Sequence, residues 1–302
     1  SGCAVTSKLL SKNKKVCLFE AGHSHHNFLL DVPAGFFKLI NDSKYATYHK
    51  TNPQEHLGGR QNIIPQGNVL GGGTSINAQV YMRGRAEDYN EWQEVLRGNN
   101  DTIGWGWNDV FPYFKEMENN INIDNEYHGN SGRMKVSNSS CINELTYDFI
   151  DSVHELGVHI TNDFNGKEQK GVGLYQFMNN KGKRSSAASA FIDPQKNNPN
   201  LHLKLQTRVE KIIIENNKAI GVEYKNKNNE NLKLFASKEI ILASGSFITP
   251  KILMLSGIGN EEELSRIGIK CIASLPGVGE NLIDHPECPL IAKANGQYGY
   301  YR

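Results

Sequence analysis

The 302-residue chain has the composition of an ordinary globular protein, with 38% hydrophobic and 22% charged residues. Its 33 basic and 32 acidic side chains give a formal net charge of +1, which excludes the basic excess of a nucleic-acid-binding surface, so we expect no nucleic-acid partner. The five cysteines are scattered and form no CxxC pair, which argues against a disulfide framework and is typical of a reducing compartment.

The first predicted elements are a helix over residues 1–10 and a short apolar strand that ends in Glu20. In a βαβ dinucleotide-binding unit, an acid about 20 residues past the glycine loop binds a ribose hydroxyl. Glu20 lies 18 positions after Gly2, and Ala21 and Gly22 follow it. The pattern indicates the second half of such a unit, with its first strand and first two glycines upstream of residue 1. Taken alone, it is equally compatible with a chance helix–strand–Glu sequence.

Three histidines, His23, His25 and His26, follow this strand. No cysteine and no suitably spaced acid accompanies them in the sequence, so we predict a solvated loop and no metal site.

The strongest local feature is the glycine-rich segment over residues 65–78, which contains Gly71, Gly72 and Gly73. Successive glycines expose backbone N–H groups and allow a ligand to approach closely, which suits a pyrophosphate or a flat heterocycle. A glycine-rich loop without a ligand remains the alternative. For Arg83 and Arg85, which follow, we favour salt bridges over a phosphate contact.

Residues 86–118 are predicted to be helical, with a helix start at Asn108 or Asp109. A run of strands is predicted over 201–205, 209–215, 219–224 and 232–236, with a tight turn at Asn216 and Asn217.

Residues 239–245 are apolar and end in small side chains, which predicts a strand whose end faces a cofactor. A helix is then predicted to start at Thr249–Pro250 and to end at Ser256–Gly257. An ordinary strand–loop–helix connection is the alternative.

Three segments, in this order along the chain, resemble the shared motifs of the glucose–methanol–choline (GMC) oxidoreductases: residues 67–85, 245–259 and 276–286. The resemblance implies an α/β fold with an FAD-binding Rossmann-like domain and a second, sheet-based substrate domain, both incomplete. It assigns residues 1–130 and 198–285 to the FAD-binding domain. Residues 131–197 and 286–302 are assigned to the substrate domain.

The resemblance also implies FAD as the cofactor and gives a set of residues expected to bind it: Gly2, Glu20, Ala21, Gly22, Val69, Gly71, Gly72, Gly73, Asn77, Ala78, Val80, Val209 and Gly245. Val209 is expected beside the adenine, although a plain core valine is an equal alternative. Some members of the family bond FAD covalently through a His immediately before the asparagine. Ile76 stands at that position here, so we expect non-covalent FAD.

The implied reaction is oxidation of the CH–OH group of an alcohol, choline or another primary alcohol, with hydride transfer to flavin N5. Electrons then pass to oxygen, a quinone or another acceptor. The family's base is a His partnered by a second His or an Asn, and both are expected beyond Arg302, so we expect this chain alone to be inactive. A non-redox hydroxynitrile lyase of the same fold is the alternative. An NAD-dependent dehydrogenase would explain Glu20 but not the Gly71 loop or Thr249–Pro250.

No apolar run in the sequence is as long as a membrane span, and no segment is typical of a signal peptide. We expect a cytoplasmic or membrane-peripheral protein. Targeting stays undecided, because the N-terminus is expected to lie upstream of residue 1.

Overall fold

The computed structural model of the chain describes residues 1–98 and 103–285. The helices are α1 Gly2–Ser11, α2 Phe28–Asp31, α3 Phe36–Leu39, α4 Ala86–Gly98, α5 Trp107–Met117, α6 Glu144–Glu155, α7 Gly245–Leu255 and α8 Glu261–Arg266. The strands are β1 Val16–Phe19, β2 Ala46–Lys50, β3 Ile63–Gly67, β4 Glu118–Asn120, β5 Met134–Asn138, β6 Gln176–Phe177, β7 Asn179–Asn180, β8 Lys183–Arg184, β9 Leu201–Lys204, β10 Arg208–Glu215, β11 Lys218–Lys225, β12 Asn231–Phe235, β13 Ile258–Gly259 and β14 Ala273–Ser274. The predicted α/β class is confirmed.

The chain forms two compact units. Among the described residues, the first unit comprises 1–26, 39–75 and 187–285, and the second comprises 27–38 and 76–186. The functional domain boundaries at 130/131, 197/198 and 285/286 stay a prediction, and residues 286–302 lie outside the described part of the chain. No helix in the described residues has the length and apolar character needed to cross a membrane.

The core of the first unit lies where α1 meets the parallel pair β1 and β9. Cys3, Thr6, Ser7 and Leu10 lie at helical spacing on one buried face of α1. Cys3 joins a buried apolar cluster to which Leu18 of β1 and Leu201 of β9 also pack. The helix and the strand that the sequence predicted for residues 1–20 are therefore confirmed.

Strands β10, β11 and β12 form an antiparallel sheet in the first unit. The β10–β11 hairpin turns at Asn216 and Asn217, whose φ angles are 48° and 58°. Asparagine tolerates this left-handed conformation, and two such residues make the turn whose twist matches the flanking strands. The strands predicted over residues 201–236 and their turn are confirmed.

Residues 239–244 are not a strand, contrary to the prediction. A strand needs a neighbouring backbone to receive its hydrogen bonds, and no described strand pairs with this segment. The helix that follows, α7, begins at Gly245 and not at Thr249–Pro250, so that Pro250 lies inside it. Thr249 is therefore not the N-cap that the sequence predicted: Ser244 takes that position, and Thr249 Oγ1, inside the helix, accepts the Ser244 N–H at 3.1 Å. The predicted end of α7 is confirmed at Ser256, with Gly257 at φ +85°.

The second unit contains α4, α5, α6 and a three-stranded sheet ordered β4-β5-β6. The predicted helical stretch over 86–118 is confirmed in its two helices. The start of α5 was misplaced by one or two residues, because Trp107 is its first residue and Gly106 its N-cap. The Asp109 carboxylate accepts the Gly106 N–H at 3.1 Å, which closes the first turn.

Candidate functional site

The end of β1 and the glycine-rich segment lie side by side in the first unit. The Leu70 N–H donates to the His23 carbonyl at 2.9 Å, and the His23 N–H donates to the Asn68 carbonyl at 3.3 Å. Gly22, just before this bridge, is buried, and a Cβ added to it would lie 1.7 Å from the Asn68 oxygen. Glycine is required at this position, because the two backbones come into direct contact.

Glu20 ends β1 with its side chain turned back onto the backbone. Its Oε1 accepts the Gly22 N–H at 2.8 Å. Burial raises the pKa of Glu20, while hydrogen bonds from the Gly22 and Ala21 amides act in the opposite direction. A carboxylate fixed in this way at a strand end is placed to accept hydrogen bonds from sugar hydroxyls.

The segment that leads to Val209 also reaches this strand end. The Thr207 N–H donates to the Glu20 carbonyl, and the Gln206 N–H donates to the Gly22 carbonyl, both at 2.9 Å. Val209, half-buried in β10, is therefore close in the chain to residues that touch Glu20 and Gly22. Sequence reasoning missed Thr207, which is 5% exposed, because backbone hydrogen bonds leave no side-chain signature.

The glycine loop combines a packed side with an open side. Gly71 has φ +95°, and a Cβ there would meet Ser75 Oγ at 2.4 Å and Ala188 Cβ at 3.1 Å. A Cβ on Gly72 or Gly73 would meet no described atom within 4 Å. Thr74 Oγ1 donates to the Gly71 carbonyl at 2.7 Å and thereby holds the loop. The open side leaves room for a ligand to lie against the main chain.

The N-terminus of α1 lies beside the same loop. Cys3 is buried in one cluster with Leu70, and the Gly71 backbone hydrogen-bonds its thiol. Burial raises the pKa of Cys3 to about 11. Gly2 opens the helix, and a Cβ on it would lie 3.3 Å from Ala243 Cβ. The partial positive charge of a helix N-terminus favours an anionic ligand such as a phosphate.

Gly245 approaches the strand that leads into the glycine loop. Its φ is +84°, and a Cβ there would lie 2.7 Å from Gln66 Nε2. The Gln66 Nε2 donates to the Ser244 carbonyl at 3.0 Å, and its Oε1 is 2.7 Å from His49 Nε2. His49 in turn stacks on Phe247, with ring centroids 4.8 Å apart.

The first unit therefore brings together most of the predicted cofactor residues: Gly2, Glu20, Ala21, Gly22, Val69, Gly71, Gly72, Gly73, Val209 and Gly245. The other three, Asn77, Ala78 and Val80, belong to the second unit. There Arg184 Nη1 donates to the Asn77 carbonyl at 2.7 Å and to its Oδ1 at 2.9 Å.

The second unit also contains a buried ionic cluster that the sequence did not predict as a whole. Arg83 Nη2 hydrogen-bonds to Glu118 Oε2. His128 lies between two carboxylates, with Nδ1 2.8 Å from Glu118 Oε1 and Nε2 2.9 Å from Asp163 Oδ2. Burial lowers the pKa of His128, but its hydrogen bonds to both acids outweigh this and raise the pKa to about 9. The salt bridges predicted for Arg83 and Arg85 are confirmed, the latter with Asp88 at 3.6 Å.

The sequence matches one protein family and several of its characterised members. The profile of the GMC oxidoreductase family matches residues 4–287. The chain is 39% identical over 300 residues to alcohol dehydrogenase [acceptor] of Pseudomonas putida, covering 98% of this chain and 53% of that protein. It is 36% identical over 295 residues to the mitochondrial choline dehydrogenase of Mus musculus, covering 95% and 48%. The chain thus spans about half the length of the curated relatives it matches.

Two solved structures show the same fold. Pyridoxine 4-oxidase from Mesorbium loti superposes with a TM-score of 0.84 at 26% identity, covering 91% of this chain and 53% of that one. An FAD-dependent oxidoreductase from Chaetomium thermophilum gives a TM-score of 0.83 at 30% identity, covering 91% and 49%.

Proposed function

The chain belongs to the GMC oxidoreductase family, and we propose that its first compact unit binds FAD in a protein that oxidises an alcohol. The observation that carries the proposal is the backbone bridge between His23 and Val69. It joins a strand that ends in an acid to a glycine loop with an open side. These are the two parts that a dinucleotide with a ribose and a pyrophosphate requires.

Each part of the first unit has a role in this proposal. Glu20 accepts hydrogen bonds from the ribose of the adenosine half. The N-terminus of α1 and the amides of Gly72 and Gly73 receive the pyrophosphate, since a ligand can approach those glycines without meeting a side chain. The start of β10, at Val209, is assigned to the adenine side.

The second unit contains the other three residues proposed for the cofactor, Asn77, Ala78 and Val80. Asn77 is well suited to a fixed role, because Arg184 holds both its carbonyl and its side-chain oxygen. We propose that FAD is bound non-covalently, because Ile76 has no nucleophilic atom with which to form a bond to the flavin.

When bound, FAD supplies the acceptor for a hydride from the alcohol carbon. The residues described here bind and orient the cofactor, and we assign none of residues 1–98 and 103–285 as the base that removes the alcohol proton. The names of the relatives support a small alcohol, of the choline type or another, as the substrate. An electron acceptor is required to reoxidise the flavin.

Two measurements test the proposal. The first is a titration of the purified chain with FAD, monitored by the quenching of flavin fluorescence. Binding should saturate at one FAD per chain, and Glu20→Ala should weaken FAD binding. In the whole protein under anaerobic conditions, a primary alcohol or choline should bleach the flavin absorbance. A chain that binds no FAD would refute the first part. A protein whose bound flavin no alcohol reduces would refute the second and favour a non-redox enzyme such as a hydroxynitrile lyase.

A further inference from the structure

A compact group of side chains that can bind a metal ion lies in the first unit, and two of its three members closely follow Glu20 and Gly22 in the chain. His25 Nε2 is 3.0 Å from Asp193 Oδ2, and His26 Nε2 is 3.4 Å from Asp193 Oδ1. One ligand atom from each of the three residues lies within 4.8 Å of the others. Asp193 follows His25 by 168 positions, so the fold supplies the acid that the sequence did not show beside these histidines.

We propose that His25, His26 and Asp193 bind one divalent transition-metal ion such as Zn²⁺, with a fourth position open to water. Zinc takes imidazole nitrogens and carboxylate oxygens at about 2.0–2.2 Å in a tetrahedral arrangement, which sets neighbouring ligand atoms about 3.3 Å apart. The two measured separations already bracket that value. The proposal goes beyond FAD binding and does not depend on it.

The environment of His25 supports a ligand at its Nε2. The side chain is 7% exposed, and its Nδ1 is buried without a hydrogen-bond partner among the described residues. Nε2 is the ring nitrogen that faces the carboxylate, so it is the atom of His25 that is placed to bind an ion, and a neutral imidazole can do so with its proton on Nδ1.

The other two side chains give an ion access to the site. The His26 side chain is 68% exposed and that of Asp193 is 33% exposed. The His25 and His26 rings lie 4.1 Å apart, so both imidazoles are beside the same carboxylate. Because the His26 side chain is exposed, its ring is not held in place by packing and can turn toward a shared ion.

The position of the group determines what a bound ion would do. His25 and His26 follow the segment that carries Glu20 and Gly22. Asp193 begins the 3₁₀ turn Asp193–Gln195, directly after the π-helical turn Ala188–Ile192, whose Ala188 packs on Gly71. An ion would therefore join the two segments that flank the glycine loop and stabilise the first unit.

The experiment is equilibrium dialysis of the purified chain against Zn²⁺ alone, with the variants His26→Ala and Asp193→Asn. Both changes affect exposed or half-exposed side chains, which avoids removing the buried His25. The control is His56→Ala, an exposed histidine of the same unit that lies in the turn Glu55–Leu57. Co²⁺ provides a second readout, because four-coordinate Co²⁺ absorbs visible light much more strongly than six-coordinate Co²⁺.

We expect one Zn²⁺ per chain, an intense Co²⁺ spectrum, and a melting temperature that rises with Zn²⁺ concentration. Loss of either ligand should weaken Zn²⁺ binding by at least about tenfold, the lower limit for disturbing even an outer partner of a metal ligand. His56→Ala should bind as the unchanged chain does. The proposal would be overturned if the chain bound no Zn²⁺. It would also be overturned if both ligand variants bound Zn²⁺ as tightly as the unchanged chain, which would locate the ion elsewhere, for example at the exposed Cys141.

Discussion

Gly22 and Asn68 are in backbone contact, so close that a Cβ on Gly22 would lie 1.7 Å from the Asn68 carbonyl oxygen. This contact fixes the end of β1 against the glycine loop, and the same loop holds the open positions Gly72 and Gly73. The relationship separates two kinds of glycine in this segment: Gly22 is required by packing, whereas Gly72 and Gly73 have space beside them that the proposed ligand would use.

Gly22→Ala should destabilise the first unit, because the added methyl group has to displace the Asn68 backbone. We expect a loss of about 3 kcal/mol or more, the upper range for overpacking. The measurement is the midpoint of urea unfolding. Gly277→Ala is the control, since a Cβ there meets no atom of the described residues within 4 Å and the φ angle is not left-handed. Equal midpoints for the two variants would contradict the contact.

In contrast to Gly22→Ala, Gly73→Ala should leave the stability of the first unit unchanged and weaken FAD binding. Its Cβ meets no described atom within 4 Å, so the folded protein accommodates it. The proposed pyrophosphate lies against that face, so a methyl group there keeps the phosphate from the backbone. We expect the dissociation constant for FAD to rise about tenfold or more, which corresponds to about 1.4 kcal/mol. An unchanged dissociation constant would remove Gly73 from the binding site.

Glu118→Gln should destabilise the second unit strongly, because it leaves the buried cations Arg83 and His128 without their shared carboxylate. Breaking a buried ion pair typically costs about 3–5 kcal/mol. The measurement is amide hydrogen exchange, and we expect the backbone amides of β4 and β5 to exchange faster in the variant. The control Glu94→Gln, on an exposed position of α4, should change stability by less than about 0.5 kcal/mol.

The same cluster predicts a pH dependence of the second unit. Its folded state holds His128 with a pKa of about 9, above the ordinary 6.5, so the stabilisation is fully present below pH 6.5 and is lost as pH rises towards 9. Glu118 and Asp163 have lowered pKa values, because their hydrogen bonds with His128 outweigh the effect of burial, and they stay ionised over this range. Exchange protection of β4 that is flat between pH 6.5 and 9 would contradict a charged His128.

Acid precipitation of the FAD-loaded protein should leave the yellow colour in the supernatant. Ile76 is 4% exposed and offers no atom that could bond to a flavin. The absorbance of the supernatant near the flavin maximum measures the released fraction. Colour that stays with the pellet would show a covalent link through another residue.

Alkylation with iodoacetamide should modify Cys141 well before Cys3. Cys141 is exposed, whereas burial both shields the Cys3 thiol and raises its pKa to about 11, which suppresses the reactive thiolate. Peptide mapping by mass spectrometry measures the alkylation rate of each cysteine separately. We expect the two rates to differ by at least about tenfold, because a pKa higher by one unit lowers the thiolate fraction about tenfold. Cys3 that reacts as fast as Cys141 would show that the packing of α1 on the glycine loop opens readily.

The sequence alone determined the elements whose signals are local. Helical spacing specified α1, apolar alternation and the Asn216–Asn217 turn specified the β10–β11 hairpin, and the motif order identified the family. The local signal was insufficient for residues 239–244, because an apolar run becomes a strand only if another backbone pairs with it. The start of α7 was misjudged for a related reason: Thr249 lies inside the helix and bonds back to the Ser244 N–H, and the local pattern mistook it for the N-cap.

Only the tertiary structure decided which distant residues meet. The sequence contains no spacing that connects His25 to Asp193, or His128 to Glu118 and Asp163, because side-chain contacts across a fold depend on how whole elements pack. The sequence also assigned Gly22 and Gly73 the same role, as cofactor-binding glycines. In the structure the Asn68 backbone lies against Gly22, whereas no described atom lies where a Cβ on Gly73 would point. Composition and periodicity record what each segment forms by itself, whereas burial, charge pairing and close approach arise when segments are brought together.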